Sequence, residues 1–96
     1  MAAYLIVNVE ITDAARYAQY ITQEPDSIAK YHGRFLARGG KAEKLEGAWD
    51  PERVVIIEFP GSAAAKAWWA SAEYSGPKAL RQRAAITNMI LVEGLP

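Results

Sequence analysis

From Ala3 to Ile11 the chain alternates, with Leu5, Val7, Val9 and Ile11 on one side and Tyr4, Ile6, Asn8 and Glu10 on the other. A period of two is the signature of a strand with one face on a core. The period then changes. Thr12-Asp13 supplies a helix N-cap, and Ala14, Tyr17, Ala18 and Ile21 recur at helical spacing. Pro25 interrupts this helix or restarts it as a first-turn proline. Ile28, Ala29 and Tyr31 carry the apolar face onward, and Gly33 is the predicted stop.

A second strand starts at Arg34, with Gly39-Gly40 predicted as a bulge or bend before Ala42 to Glu46. Trp49-Asp50-Pro51-Glu52 reads as a turn. The third strand, Arg53 to Phe59, is apolar at nearly every position, which predicts burial on both faces and a central place in the sheet. Pro60-Gly61-Ser62 ends it and caps a helix over Ala63 to Ala72. Trp68 and Trp69 are neighbours on that helix, about 100° apart, so one must lie at a boundary. Gly76-Pro77 is predicted to open a short helical segment through Lys78, Leu80, Arg81 and Ala84, and a last strand runs from Ile86 to Val92. The order β-α-β-β-α-β is an α+β, ferredoxin-like arrangement.

That arrangement has a consequence for the sheet. Two helices cover one face of four strands. Yet the third strand places Val54 and Ile56 on one face and Val55, Ile57 and Phe59 on the other. Leaving such side chains in water forgoes roughly 1.5–3 kcal/mol apiece, and a contiguous patch of them marks an interface. The economical solution is a homodimer with the two sheets face to face, a dimeric α/β barrel with a cavity between the sheets.

Composition narrows the function classes. At 96 residues and 51% hydrophobic, the sequence reads as one domain, residues 1–96, with an ample core. Eleven basic and eleven acidic residues cancel, so no global field draws the chain to nucleic acid or a membrane surface. With no cysteine and one histidine there is no disulfide, no thiolate and little basis for a metal site; no cofactor motif is present. Gly39-Gly40 lacks the lysine and the strand-to-helix context of a phosphate loop. The N-terminus has no basic region before its apolar residues and no apolar run is long enough to span a bilayer, so the expected location is cytoplasmic.

Three polar residues stand among strand hydrophobes: Asn8, Arg38 and Glu58. A charge in such a place must be paired or face a polar cavity. Glu58 shares its side with Val54 and Ile56, and Arg38 shares its side with Leu36. If Arg38 and Glu58 meet in the cavity, Arg38 could bind a carboxylate or enolate oxygen while Glu58 takes a proton; otherwise they form a structural ion pair. His32, beside Gly33, reads as helix-end structure unless it reaches the cavity mouth. Trp49, at a hairpin tip, is placed to reach across a dimer, and Tyr74 could add a hydrogen bond. Lys78, Arg81 and Arg83 form a basic cluster that reads first as a solvated helical face and, in a sharper reading, as an anion site.

Several blocks, in order, resemble the family called domain of unknown function 1330. They are Arg34-Phe35-Leu36-Ala37-Arg38-Gly39-Gly40, Glu46-Gly47-Ala48-Trp49, Val55-Ile56-Ile57-Glu58-Phe59-Pro60, and Ala72-Glu73-Tyr74 followed by Lys78-Ala79-Leu80-Arg81. The resemblance covers essentially the whole chain and implies a dimeric α+β barrel of ferredoxin-like subunits. It supplies no reaction and no catalytic residue, and it leads one to expect glycine where His32 stands. The same architecture is similar to that of small cofactor-independent monooxygenases and muconolactone-type isomerases, an analogy of fold. Two functions stay open. One is an enzyme acting on a small acidic or oxygenated metabolite, with Arg38 and Glu58 as catalytic candidates and Asn8, His32, Trp49 and Tyr74 as binding candidates. The other is a non-catalytic binding or structural homodimer.

Overall fold

In a computed structural model describing residues Met1–Pro96, the elements run β1 (Ala3–Ile11), α1 (Ala14–Lys30), β2 (Arg34–Arg38), β3 (Arg53–Phe59), α2 (Ser62–Trp69), α3 (Ala72–Ala84) and β4 (Ala85–Glu93). The strands form one antiparallel sheet in the order β2-β3-β1-β4. The chain is a slab of 32 × 31 × 16 Å, a single sheet under a single layer of helices. β1 alternates as its sequence dictates. Ala3, Leu5, Val7 and Val9 are buried under the helices, while Tyr4, Ile6 and Asn8 face away from them. Val55, Ile57 and Phe59 from β3 join the same core, with Tyr17, Tyr20 and Ile28 from α1, Trp68 from α2 and Tyr74 from α3.

α1 and α3 start where a side chain can satisfy free N–H groups, whereas α2 follows Gly61 without a side-chain cap. Asp13 Oδ1 accepts from Arg16 N at 3.1 Å, and Ser71 Oγ accepts from Tyr74 N at 3.1 Å. The second cap corrects the sequence reading of α3. The helix starts at Ala72, and Gly76 and Pro77 lie inside it. At the far end of α1, the N–H of His32 bonds to Ala29 O (3.0 Å) and that of Gly33 to Ile28 O (2.9 Å), a Schellman cap. His32 is therefore the left-handed residue, at φ +64, where glycine would be free of strain. Gly33 has a different reason to lack a side chain. A Cβ there would lie 2.7 Å from the Phe59 ring.

β2 departs most from expectation. A bulge that the sequence does not mark falls at Leu36, between Phe35 and Ala37, in addition to the bend expected at Gly39-Gly40. Gly39, at φ +74, turns the chain out of the sheet, and residues 40–52 form no strand, so the predicted extension over Ala42 to Glu46 is absent. A Cβ on Gly39 would also run into the Arg53 guanidinium, which rests against it.

The face of the sheet turned away from the helices is uncovered. On β4, Ile86, Ile90 and Val92 are 58%, 60% and 43% exposed. Ile6, Val54 and Ile56 extend this apolar surface across β1 and β3. Trp68 is fully buried and Trp69 is 46% exposed, the division their adjacency requires.

Candidate functional site

The bulge at Leu36 decides where the charged strand residues go. Before it, Arg34 stands opposite Glu58; after it, Arg38 stands opposite Val55, a core residue. One extra residue inverts the facing of everything beyond it. Arg38 and Glu58 therefore lie on opposite faces of the sheet, and the pairing considered from the sequence does not form. Glu58, on the open face as its parity with Val54 and Ile56 predicts, receives Arg34 Nε at 2.7 Å.

Arg38 reaches under the helices. Its Nη2 donates to Ile21 O at 2.7 Å and lies 3.6 Å from Glu24 Oε1. The acceptor exists because of Pro25. Proline has no N–H to give the carbonyl four residues earlier, so Ile21 O is left free inside α1. Pro25 thus bends no rule without use: the orphan carbonyl anchors an arginine.

Glu24 is the end of a buried polar chain that the sequence reading missed. The Tyr20 hydroxyl donates to Glu24 Oε2 in a short hydrogen bond. The Tyr20 and Tyr74 hydroxyls are 2.7 Å apart, and Arg81 Nε donates to the Tyr74 hydroxyl at 3.1 Å. Because Tyr74 accepts from Arg81 and Tyr20 gives its proton to Glu24, the Tyr74 proton must point at Tyr20. Every donor in the chain therefore points toward the Glu24 carboxylate. Trp68 Nε1 bonds to Ser27 Oγ at 3.0 Å beside it, and that hydroxyl donates to Glu24 O at 2.8 Å.

Burial governs the ionisation of this group. It pushes the Glu24 carboxyl above its ordinary value, opposed by the Tyr20 hydrogen bond and by Arg38, Arg81 and Arg53. Burial likewise raises Tyr20, helped by the Glu24 charge, and raises Tyr74 against the pull of Arg81. Both phenols are neutral at physiological pH. For Arg81, burial works against the cation, but the oxygens of Tyr74, Tyr20 and Glu24 outweigh it and the pKa rises. Arg81 is 5% exposed, so the sequence reading of it as part of a solvated basic face is corrected.

Two cavities meet at Arg81. One, of about 10 Å³, lies against Tyr17, Tyr20, Glu24 and Trp68 and has room for one water. The other, of about 600 Å³, opens between α2, the end of α3 and β4, lined by Leu5, Lys66, Trp69, Arg81, Thr87 and Met89 among others. The latter is of the size that small-molecule sites commonly have.

The remaining candidates are scattered. Asn8 and Trp49 do come together, with Ile6, Asn88 and Ile90, around a depression of about 140 Å³ on the open face. Tyr74 is fully buried on the other side of the sheet. His32 is exposed at the α1 cap and lines none of these cavities. No three acidic or histidine side chains gather as a metal site would require. No helix is long and apolar enough to cross a membrane.

Four antiparallel strands in the order β2-β3-β1-β4, roofed by helices on one face alone, make this a ferredoxin-like α+β subunit. The chain belongs to the family of the domain of unknown function 1330, whose model matches residues 2–95. It is similar to a protein of unknown function from Rhodopseudomonas palustris, with a TM-score of 0.80 and 20% identity over 99% of this chain and 83% of that one. A dimeric ferredoxin-like protein of unknown function from a Jannaschia species matches with a TM-score of 0.73 and 11% identity, over 98% of this chain and 100% of that one. SnoaB, a cofactor-independent oxygenase from Streptomyces nogalater, matches with a TM-score of 0.67 and 9% identity, over 99% of this chain and 94% of that one. No curated protein matches the sequence. Family and subunit fold are thus those the sequence predicted.

Proposed function

We propose that the protein is a homodimeric, cofactor-independent enzyme for a small acidic or oxygenated metabolite, with one site under the helices of each subunit. The observation that carries this reading is the one-way chain Arg81→Tyr74→Tyr20→Glu24, with Arg81 in the wall of the 600 Å³ pocket. The chain fixes a cation in a low-dielectric wall before any ligand arrives, which is what stabilisation of a developing oxyanion needs. In the reaction so supported, a C–H bond beside a carbonyl breaks, its electron pair moves onto the oxygen facing Arg81, and the proton leaves to water at the pocket mouth. In this reading Arg38 positions Glu24, and Glu58 with Arg34 belongs to the association surface. The exposed isoleucines of β4 and the similarity to a dimeric ferredoxin-like protein support the homodimer.

The test is exchange of carbon-bound hydrogen. Enolisable metabolites in deuterated buffer should gain deuterium with the purified protein, at a rate at least 100-fold lower with Arg81→Met.

A second reading, a non-catalytic binding or structural homodimer, is favoured by one observation: the cavity touching Tyr20 and Glu24 holds no more than a water. Absence of exchange across a broad metabolite panel, with Arg81→Met altering stability alone, would establish it.

A further inference from the structure

Arg81 uses one of its five N–H donors within the protein, the Nε bond to Tyr74. Its two Nη groups have no protein acceptor, although the residue is 5% exposed and lines the pocket. A buried guanidinium with its outer edge uncommitted is a fork for two oxygens of one group. Thr87 lines the same pocket, and its hydroxyl is buried without a partner. One rotation about its χ1 would redirect that hydroxyl.

Apart from Lys66 and Gln82 the rest of the lining is apolar, with Leu5, Met89 and Leu91 along the sheet and Trp69 at the rim. Trp69 is held as a wall. Lys78 Nζ lies 3.9 Å from its ring centroid and donates to its backbone oxygen at 2.9 Å. A half-exposed indole fixed in this way offers a flat surface for a ring. Lys66 is the one other cation in the lining, and it is exposed.

We infer that the pocket takes an aryl or arylalkyl monocarboxylate, its carboxylate on the Arg81 Nη edge and its ring against Trp69. The inference rests on the reading of this pocket as the ligand site and adds the ligand's class to it. One guanidinium, already partly offset by the chain to Glu24, matches one negative charge. A phosphate dianion would find neither a second buried cation nor a run of free backbone N–H groups.

Isothermal titration of the full chain with benzoate, phenylacetate and 3-phenylpropanoate, each beside its primary amide and beside phenyl phosphate, tests this directly. At least one carboxylate should bind tenfold or more tightly than its amide and than phenyl phosphate. Trp69→Ala should weaken that carboxylate about fivefold with an unchanged melting temperature. Arg81→Met should erase the preference over the amide. Should Arg81→Met fail to fold, the fivefold loss in Trp69→Ala still decides whether the carboxylate sits in this pocket. Equal binding of acid and amide, preference for the phosphate, indifference to Trp69→Ala, or no binding by any carboxylate would each overturn the inference. The enzyme reading is judged separately. Neutral enolisable compounds that exchange deuterium would preserve it while this inference falls, and carboxylate binding without exchange would do the reverse.

Discussion

The two faces of the sheet treat polar residues in opposite ways. Under the helices, Glu24, Tyr20, Tyr74 and Arg81 are almost wholly buried, and each is tied to the next by a hydrogen bond. On the open face, Arg34 and Glu58 form a pair whose arginine side chain is 71% exposed, and Asn8 and Asn88 face each other across β1 and β4 among exposed isoleucines. The difference follows from dielectric. A charge withdrawn from water persists only when its partners are fixed around it, while a charge at the surface has water as an alternative. The covered face therefore has the means to hold an ion at a set place, and the open face has the greasy, weakly committed surface of an association site.

Mutations should expose that contrast, and the largest effect belongs on the covered side. Glu24→Ala removes the acceptor that Arg38, Tyr20 and, through Tyr74, Arg81 converge upon. A loss of about 3–5 kcal/mol in urea unfolding is expected. Next comes the open face. Ile90→Asp should weaken self-association at least a hundredfold by sedimentation, about 2.7 kcal/mol or more, while the circular dichroism spectrum of the subunit stays unchanged.

Titration should distinguish the buried chain from an exposed ion pair as well. Burial sets the Glu24 carboxyl above the 4.5 of a free glutamate. The folded state then holds its proton to higher pH than the unfolded chain does. Its contribution is fully present below the unfolded value and is lost as pH rises through the folded one. Stability of the wild type should accordingly fall, relative to Glu24→Gln, as pH climbs from about 4.5 toward neutrality. The exposed α1–α3 clasp behaves oppositely. Glu73, bonded to Lys30 at 2.8 Å and to Tyr31, is held down to about 2, so its smaller contribution is present above 4.5 and disappears as pH falls toward 2.

The smaller substitutions concern single residues. His32→Gly relieves a left-handed histidine at the α1 cap and should stabilise by about 1 kcal/mol, read in thermal melts. Arg34→Ala should cost no more than about 0.2–1 kcal/mol, as befits an exposed pair.

The sequence made the fold legible because the period of its hydrophobic positions changes cleanly between β1 and α1, and because β3 is apolar on both faces. It placed Arg38 wrongly for a physical reason. A bulge at Leu36 leaves no mark in residue type, since Arg34, Phe35, Leu36 and Ala37 all suit a regular strand, and the glycines at 39 and 40 mark only the bend that follows it. Part of the buried chain was within reach. Tyr17, Tyr20, Glu24 and Ile28 recur every three or four residues, which places Glu24 in the middle of the apolar stripe of α1. A carboxylate there requires a partner. Arg81 gave no such signal, because its neighbours Lys78 and Arg83 made a solvated face the simpler reading, and only the start of α3 at Ala72, capped by Ser71, turns it inward.

Backbone amide NMR of the labelled protein, titrated with a metabolite that binds it, measures which face carries the chemistry. Shifts gathered at Trp69, Arg81, Thr87 and Met89, under the helices, are the predicted outcome. Shifts gathered instead at Asn8, Trp49, Asn88 and Ile90 would place the ligand between the sheets and contradict the account.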